Sequence, residues 1–293
     1  MKIEFPVSAV GALIHDVDLR TVSDEDFSAI YRTWLDRNVI VVRGQSFTKA
    51  EFLACGHRFG KVMPHRVRRT RDPEFPEITL MGVGGSKTAD KGAAFILSRG
   101  QTWHTDSAWD TRICKGTTLY GVEIPTFGGD TLFASMYAAY DALPQRLRDR
   151  IAHLDAEYGY GGRAREGFEL LEPEDQIRPP AVHRLVRTHP ETGRKSLYIN
   201  PTHILRIAGI SDEENERLLP ELLWYMLQPG AEYRHKWQAG DFVIWDNRCS
   251  VHCAAGGCPP DQLRVHWRST IMEPDPLVER AMAPAGAGVR VPT

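Results

Sequence analysis

A chain of 293 residues, 42% hydrophobic and 25% charged, carries enough apolar material for one sizeable core. A formal net charge of −2 excludes bulk attraction to nucleic acid or an anionic membrane, and no apolar run approaches the length of a membrane span. Met1 to Val10 lacks the apolar stretch of a secretory signal, so the expected setting is the cytoplasm. The five cysteines, Cys55, Cys114, Cys249, Cys253 and Cys258, are an odd number, which argues for free thiols over a disulfide framework. Three of them surround His252, but without the paired Cys-x-x-Cys spacing of a structural zinc site.

In chain order, Ser23 precedes an acidic first turn, and Phe27, Ile30, Tyr31 and Trp34 follow at helical spacing. Thr48 and Glu51 form a capping-box pattern ahead of Phe52, Cys55 and Phe59. Leu119 to Ile124 and Thr131 to Ala134 read as strands, and Ser135 is placed to cap a helix through Tyr140. Pro144 fits the first turn of a further helix reaching Leu154. Leu185 to Thr188 and Lys195 to Ile199 flank a turn-rich His-Pro-Glu-Thr-Gly and predict a hairpin. Ser211 and Glu214 open a long segment to Leu227, in which Pro220 is expected to kink or divide the helix. Tyr233 to Trp237 and Asp241 to Trp245 predict a second hairpin, and Leu263 to Ile271 a last strand. Helices early and hairpins late give an α+β fold: an antiparallel barrel or sandwich flanked by helices. Residues 1–293 read as one domain, and two loop-like stretches, Val83 to Gly100 and Tyr158 to Pro180, are candidate lids over a site.

Chemistry concentrates at Trp103-His104-Thr105-Asp106. On an extended strand, residues two apart point the same way, so His104 and Asp106 would present an imidazole and a carboxylate to one point. That is two thirds of a 2-His-1-carboxylate triad, a set that suits non-haem Fe(II), although His-x-Asp alone is a common pattern. Among eleven histidines, His252 is the best-placed third ligand: it follows a strand and a polar turn, and Ala254-Ala255-Gly256-Gly257 beside it is small. On the last strand Arg264, His266, Arg268 and Thr270 share one face, and Leu263, Val265, Trp267, Ser269 and Ile271 the other. The arginine face is either exposed to solvent or lines a cavity for anions, which guanidinium forks bind in bidentate fashion.

These pieces together resemble the taurine dioxygenase and 2,4-dichlorophenoxyacetate dioxygenase family. The resemblance runs through Gly11 to Leu19, Val39 to Gln45, Phe59-Gly60, Trp103 to Asp106, Gly128-Gly129-Asp130-Thr131, and Gly240-Asp241 through Trp245-Asp246-Asn247-Arg248 to His252. It implies a double-stranded β-helix (jelly roll) with Fe(II) held by His104, Asp106 and His252. It implies 2-oxoglutarate as cosubstrate at Thr131 and Arg264, with O2 as oxidant, and a substrate anion at Arg268 and His65. Arg264 and Arg268 lie roughly 13 Å apart along the strand, so each serves a different ligand. The expected reaction is hydroxylation of a C–H bond in a small organic acid: a sulfonate, a sulfate ester, an aryloxyalkanoate or similar. Cleavage of the hydroxylated product is a further possible outcome. The chain departs from the family at His266, where an apolar residue is common, and at Trp109, where phenylalanine is usual; both are counted as substrate-pocket residues. Arg66, Arg68, Arg69 and Arg71 crowd after His65, either as a solvated loop or as extra recognition of a polyanion. The competing readings are a biosynthetic oxygenase acting on a non-anionic substrate, a metal-dependent hydrolase on the same barrel, and a non-catalytic sensor. A homo-oligomer, dimer or tetramer, is expected.

Overall fold

The computed structural model describes residues 1–83, 100–165, 171–176, 178–228, 231–259 and 261–274. Strands β1 (Lys2–Glu4) and β2 (Ala12–His15) precede helix α1 (Asp24–Arg37), β3 (Val39–Val42) and helix α2 (Lys49–His57). Next come β4 (Val62–Met63), β5 (Ile78–Val83), β6 (Cys114–Glu123) and β7 (Thr131–Ser135), then α3 (Met136–Ala142) and α4 (Gln145–Ile151). The chain continues through β8 (Asp155–Tyr158), α5 (Pro173–Gln176), β9 (Ala181–Arg184), β10 (Val186–Thr188), β11 (Lys195–Leu197) and β12 (Ile204–Ile207). Helix α6 (Asp212–Met226) leads to β13 (Tyr233–His235), β14 (Phe242–Asp246), β15 (Ser250–Ala254) and β16 (Arg264–Met272).

The helices begin where side chains can satisfy their free N–H groups. The Ser23 side chain accepts from Asp26 N, Ser135 from Ala138 N and Ser211 from Glu214 N. Thr48 and Glu51 close a full capping box on α2.

Two sheets build the barrel. The larger runs β1-β2-β3-β14-β6-β16, and β5 and β4 share the outer edge of β16. The smaller runs β13-β7-β15. Strands β3 and β14 are buried on both faces, which accounts for their unbroken apolar runs. Ile40, Val42, Phe242 and Ile244 pack outward against α1 and α2, around Trp34, Phe52 and Phe59. Val39, Val41, Val243 and Trp245 point inward, where they meet Phe133 and Tyr233 of the smaller sheet. A third core joins α3, α4 and α6 to β8, β11 and β12. This is the expected jelly roll with flanking helices, and the site lies between its two sheets.

Several local expectations change. Strands are not confined to the later chain, since β1, β2 and β3 build one side of the larger sheet. The hairpin of β10 and β11 is present, but Tyr233–Trp237 and Asp241–Trp245 form none. β13 pairs with β7 in the smaller sheet, and β14 with β3 and β6 in the larger. Buried Asp241 holds the crossing between them, accepting from Arg43 (2.5 Å), the His235 ring (3.1 Å) and Gln238 N (2.8 Å). Pro220 neither ends nor divides α6: it is on the exposed face, as is Glu216, whose carbonyl loses its helical donor to the ring. Pro144 is the N-cap of α4 rather than inside it, and the helix stops at Ile151.

Of the two candidate lids, 84–99 lies outside the described residues. Within the second, Tyr158 is the buried end of β8, Gly162–Ala164 is a 3-10 turn and Pro173–Gln176 is α5; residues 166–170 and 177 lie outside the description.

Candidate active site

The segment carrying His104 and Asp106 is not a regular strand. It is pinned by a single bridge, in which His104 and His252 exchange backbone hydrogen bonds of 2.9 and 2.8 Å. His252 itself sits mid-strand in β15, opposite Phe133 of β7, rather than in a loop. The bridge brings the three side chains together: His104 Nε2 is 3.9 Å from one Asp106 oxygen, and His252 Nε2 is 3.8 Å from the other. One donor atom from each of the three lies within 4.8 Å of the others.

The donor set fits a metal ion. His104 Nδ1 is 2.7 Å from the Thr102 carbonyl, so that nitrogen carries the proton and Nε2 is left as a lone pair. Burial pushes the Asp106 carboxyl up, but Arg268, His252 and His104 more than reverse it, holding it well below the usual carboxylate range. Burial, reinforced by the repulsion two protonated imidazoles would feel beside His104, keeps His252 far below the usual imidazole range, so it is neutral and able to ligate.

Asp106 is also fixed from behind. Thr117 Oγ1 donates to it at 2.6 Å, and Asn247 Nδ2 donates to Thr117 at 3.0 Å. Asn247 Oδ1 accepts from Asp106 N at 3.0 Å and from Trp245 Nε1 at 3.0 Å, and Asn200 Nδ2 holds the Thr105 carbonyl at 2.6 Å. Thr117 and Asn200 gave no sequence signal, since they are distant in the chain. Asn247 stood inside a recognisable motif, but a role behind the carboxylate is visible only once β14 pairs with β6.

His104, Asp106 and His252 open onto one cavity of about 160 Å³. Thr131 and Arg264 line it, with Arg264 only 5% exposed. Arg264 Nε donates to the Gly129 carbonyl at 3.2 Å, and Thr131 Oγ1 accepts from Trp237 Nε1 at 3.0 Å, leaving its own proton free to donate. The arginine face of β16 is thus turned into the barrel, not to solvent. Arg268 also lines the cavity and places Nη2 2.8 Å from Asp106 Oδ1. His65 lines it too; Nδ1 accepts from Val67 N at 3.3 Å, so Nε2 carries the proton. Burial first, then the Arg268 charge, pushes His65 down to about 3 and keeps it neutral.

Trp109 lines the cavity and meets Tyr160 edge to face, with ring centroids 5.0 Å apart. Tyr160 in turn stacks on His203 at 5.7 Å, and both line the same cavity, although neither stood out in the sequence. His266 does not reach the cavity wall as expected. It is fully buried, and its ring lies edge-on to Trp237 at 4.4 Å. The small residues after His252 have a different use from that expected: Gly256 and Gly257 pack against Gly128 and Gly129, where a Cβ on Gly128 would lie 2.1 Å from the Gly257 carbonyl oxygen.

Residues 4–270 match the Taurine catabolism dioxygenase TauD, TfdA family, and the chain belongs to it. An alpha-ketoglutarate-dependent 2,4-dichlorophenoxyacetate dioxygenase of Cupriavidus pinatubonensis is 34% identical over 84% of this chain and 88% of its own. An (S)-phenoxypropionate/alpha-ketoglutarate-dioxygenase of Sphingobium herbicidovorans is 33% identical over 93% of this chain and 95% of its own. The solved structure of AAD-2 with Mn(II) and N-oxalylglycine superposes with a TM-score of 0.79 at 28% identity, covering 94% of this chain and 99% of that one. The protein is an Fe(II)- and 2-oxoglutarate-dependent dioxygenase that consumes O2, and the hydrolase reading is set aside. Among the described residues, no helix is long and apolar enough to cross a membrane.

Proposed function

We propose that His104, Asp106 and His252 hold the iron, that Arg264 and Thr131 hold 2-oxoglutarate, and that the substrate is a small organic acid anchored by Arg268 and His65. The observation that carries this reading is that one cavity is lined by the three donors together with Arg264, Thr131, Arg268 and His65. When bound, iron and 2-oxoglutarate supply the oxidative decarboxylation to succinate and CO2 that drives hydroxylation of a substrate C–H bond.

The chain's own residues bind, orient and exclude water. Arg264 is buried and fork-shaped, suited to the distal carboxylate of 2-oxoglutarate, and the Thr131 hydroxyl adds a second donor. Arg268 uses one N–H on Asp106, which leaves further donors for a substrate anion, and the His65 Nε2–H adds another. Trp109 and Tyr160 give the rest of the cavity an aromatic wall, which suits the non-acidic part of a sulfonate, sulfate ester or aryloxyalkanoate. The related aryloxyalkanoate enzymes support a carboxylate head.

The reading takes 1–293 as one dioxygenase domain, with Tyr160 covering the cavity from the 158–180 stretch. It extends to a cytoplasmic setting, supported by five unpaired thiols, and to a homo-oligomer that covers the exposed Trp224 of α6.

A succinate-release screen over sulfonates, sulfate esters, aryloxyalkanoates and neutral alcohols and lactones tests the substrate class. Turnover of an acid is expected, and Arg268→Ala should raise its KM at least tenfold while the KM for 2-oxoglutarate stays put. Efficient turnover of a neutral compound alone would overturn the anion anchor and favour the biosynthetic alternative.

A further inference from the structure

The chain changes sheets between β13 and β14, and at that corner it carries Trp237, only 7% exposed. Trp237 does not line the active-site cavity, but its indole Nε1–H donates at 3.0 Å to the hydroxyl of Thr131, which does.

The corner is firmly held. Buried Asp241 accepts from Gln238 N, next to Trp237, and from the His235 ring two residues before it. Gly240 N donates to the Gly121 carbonyl at 2.8 Å and Gly121 N to the Asp241 carbonyl at 2.9 Å, which docks the corner on β6. Gly121 leaves the room this docking needs. A Cβ there would lie 3.0 Å from the Gln238 carbonyl oxygen and 3.4 Å from Trp237 Cε3. The rings of His235 and His266 meet the indole edge to face, with centroids 4.6 and 4.4 Å away. His266 is wholly buried and its ring nitrogens have no hydrogen-bond partner among the described residues, so it serves Trp237 as a packing surface.

An indole N–H can only donate, whereas a hydroxyl has one proton and two lone pairs. With one lone pair of Thr131 Oγ1 taken by Trp237, the Thr131 proton is left for an acceptor in the cavity. Without that fixed donor, the hydroxyl would rotate and point its proton at such an acceptor only part of the time. We propose that Trp237 is a positioning residue for the cosubstrate. It fixes the Thr131 hydroxyl as a donor to the distal carboxylate of 2-oxoglutarate, and so favours a 2-oxo acid that ends in an anion over one with a neutral end. This rests on the reading of Thr131 as a 2-oxoglutarate contact.

The test measures binding by calorimetry to the Mn(II)-loaded protein. The probes are 2-oxoglutarate and 2-oxopentanoate, which keeps the metal-chelating end and has a methyl group in place of the distal carboxylate. Thr131→Val should weaken 2-oxoglutarate about tenfold and leave 2-oxopentanoate unchanged, as loss of a hydrogen bond to a charged group does. Trp237→Phe keeps an aromatic ring and removes the N–H; it should weaken 2-oxoglutarate about three- to tenfold, again without touching 2-oxopentanoate. The double variant should bind 2-oxoglutarate no worse than Thr131→Val alone, because both changes break one chain of hydrogen bonds. Unchanged 2-oxoglutarate binding in Trp237→Phe, losses that add in the double variant, or equal losses for the two acids would each overturn the proposal. No weakening in Thr131→Val would instead remove the reading of Thr131, and the proposal with it. If Trp237→Phe does not fold, Gly121→Ala displaces the indole with its N–H intact: the same selective loss of 2-oxoglutarate is expected, and an even loss or none overturns the proposal.

Discussion

A Cβ built on Gly129 would lie 2.8 Å from the Arg264 Nε, and the residue holds φ at +71°, a conformation that disfavours any side chain. The glycine is therefore part of the seat of Arg264. Gly129→Ala is expected to raise the KM for 2-oxoglutarate while leaving Fe(II) affinity unchanged; steady-state kinetics with equilibrium metal titration checks this. Arg264→Ala should do the same more strongly, by roughly 2–5 kcal/mol, because it removes one partner of a shielded, charge-assisted pair. An unchanged KM would sink the assignment of Arg264. Asn247 acts one step further back, through Thr117 to Asp106. Asn247→Ala should weaken metal binding about 10–100-fold, as loss of a ligand's hydrogen-bonded support does elsewhere. His104 and Asp106 stood out in the sequence because one short motif carries them, and Arg264 only through the family resemblance. Thr117, Asn200 and His203 did not, because only strand pairing and loop packing bring them to the site.

At the scale of elements, α6 offers a clean test of helix chemistry. Pro220 is exposed within Asp212–Met226 and removes one helical donor, so Pro220→Ala should raise the melting temperature and leave turnover unchanged. The turn from β14 to β15 is the opposite case. Asp246 is wholly buried, accepts from Arg248 at 2.8 and 2.6 Å, and lies 3.0 Å from His189 Nε2. Burial raises its carboxyl, but Arg248 and His189 bring it down to about 2, below its ordinary value of 3.8. A depressed carboxylate stabilises the fold fully above its ordinary value and loses that contribution as pH falls through about 2. The difference is worth roughly 2 kcal/mol. Asp246→Asn should therefore flatten the acid limb of the stability curve and lower stability at neutral pH, both visible in urea melts from pH 2 to 7. The caps of α1, α2, α3 and α6 could be read directly, because each depends on a side chain and a backbone group three residues apart. The false hairpin at 233–245 could not be avoided from alternation alone. Both segments are strands, and only their pairing, with β7 for one and with β3 and β6 for the other, shows that the chain changes sheets between them.

Over the whole molecule, the proposed iron site ties the two sheets together: His252 comes from the smaller sheet, Arg268 from the larger, and Asp106 from the segment bridged to β15. A metal and cosubstrate that bind only the folded chain should stabilise it by about 2.7 kcal/mol at a hundredfold excess over Kd, so Mn(II) with 2-oxoglutarate should shift the thermal midpoint upward. The central claim is that His104, Asp106 and His252 form one iron site that also receives 2-oxoglutarate, and anaerobic titration tests it most directly. The unaltered protein should bind one Fe(II) per chain and, on adding 2-oxoglutarate, develop a weak visible charge-transfer band that His104→Ala and His252→Ala both abolish. A band that persists in either variant, or a stoichiometry other than one, would contradict the account.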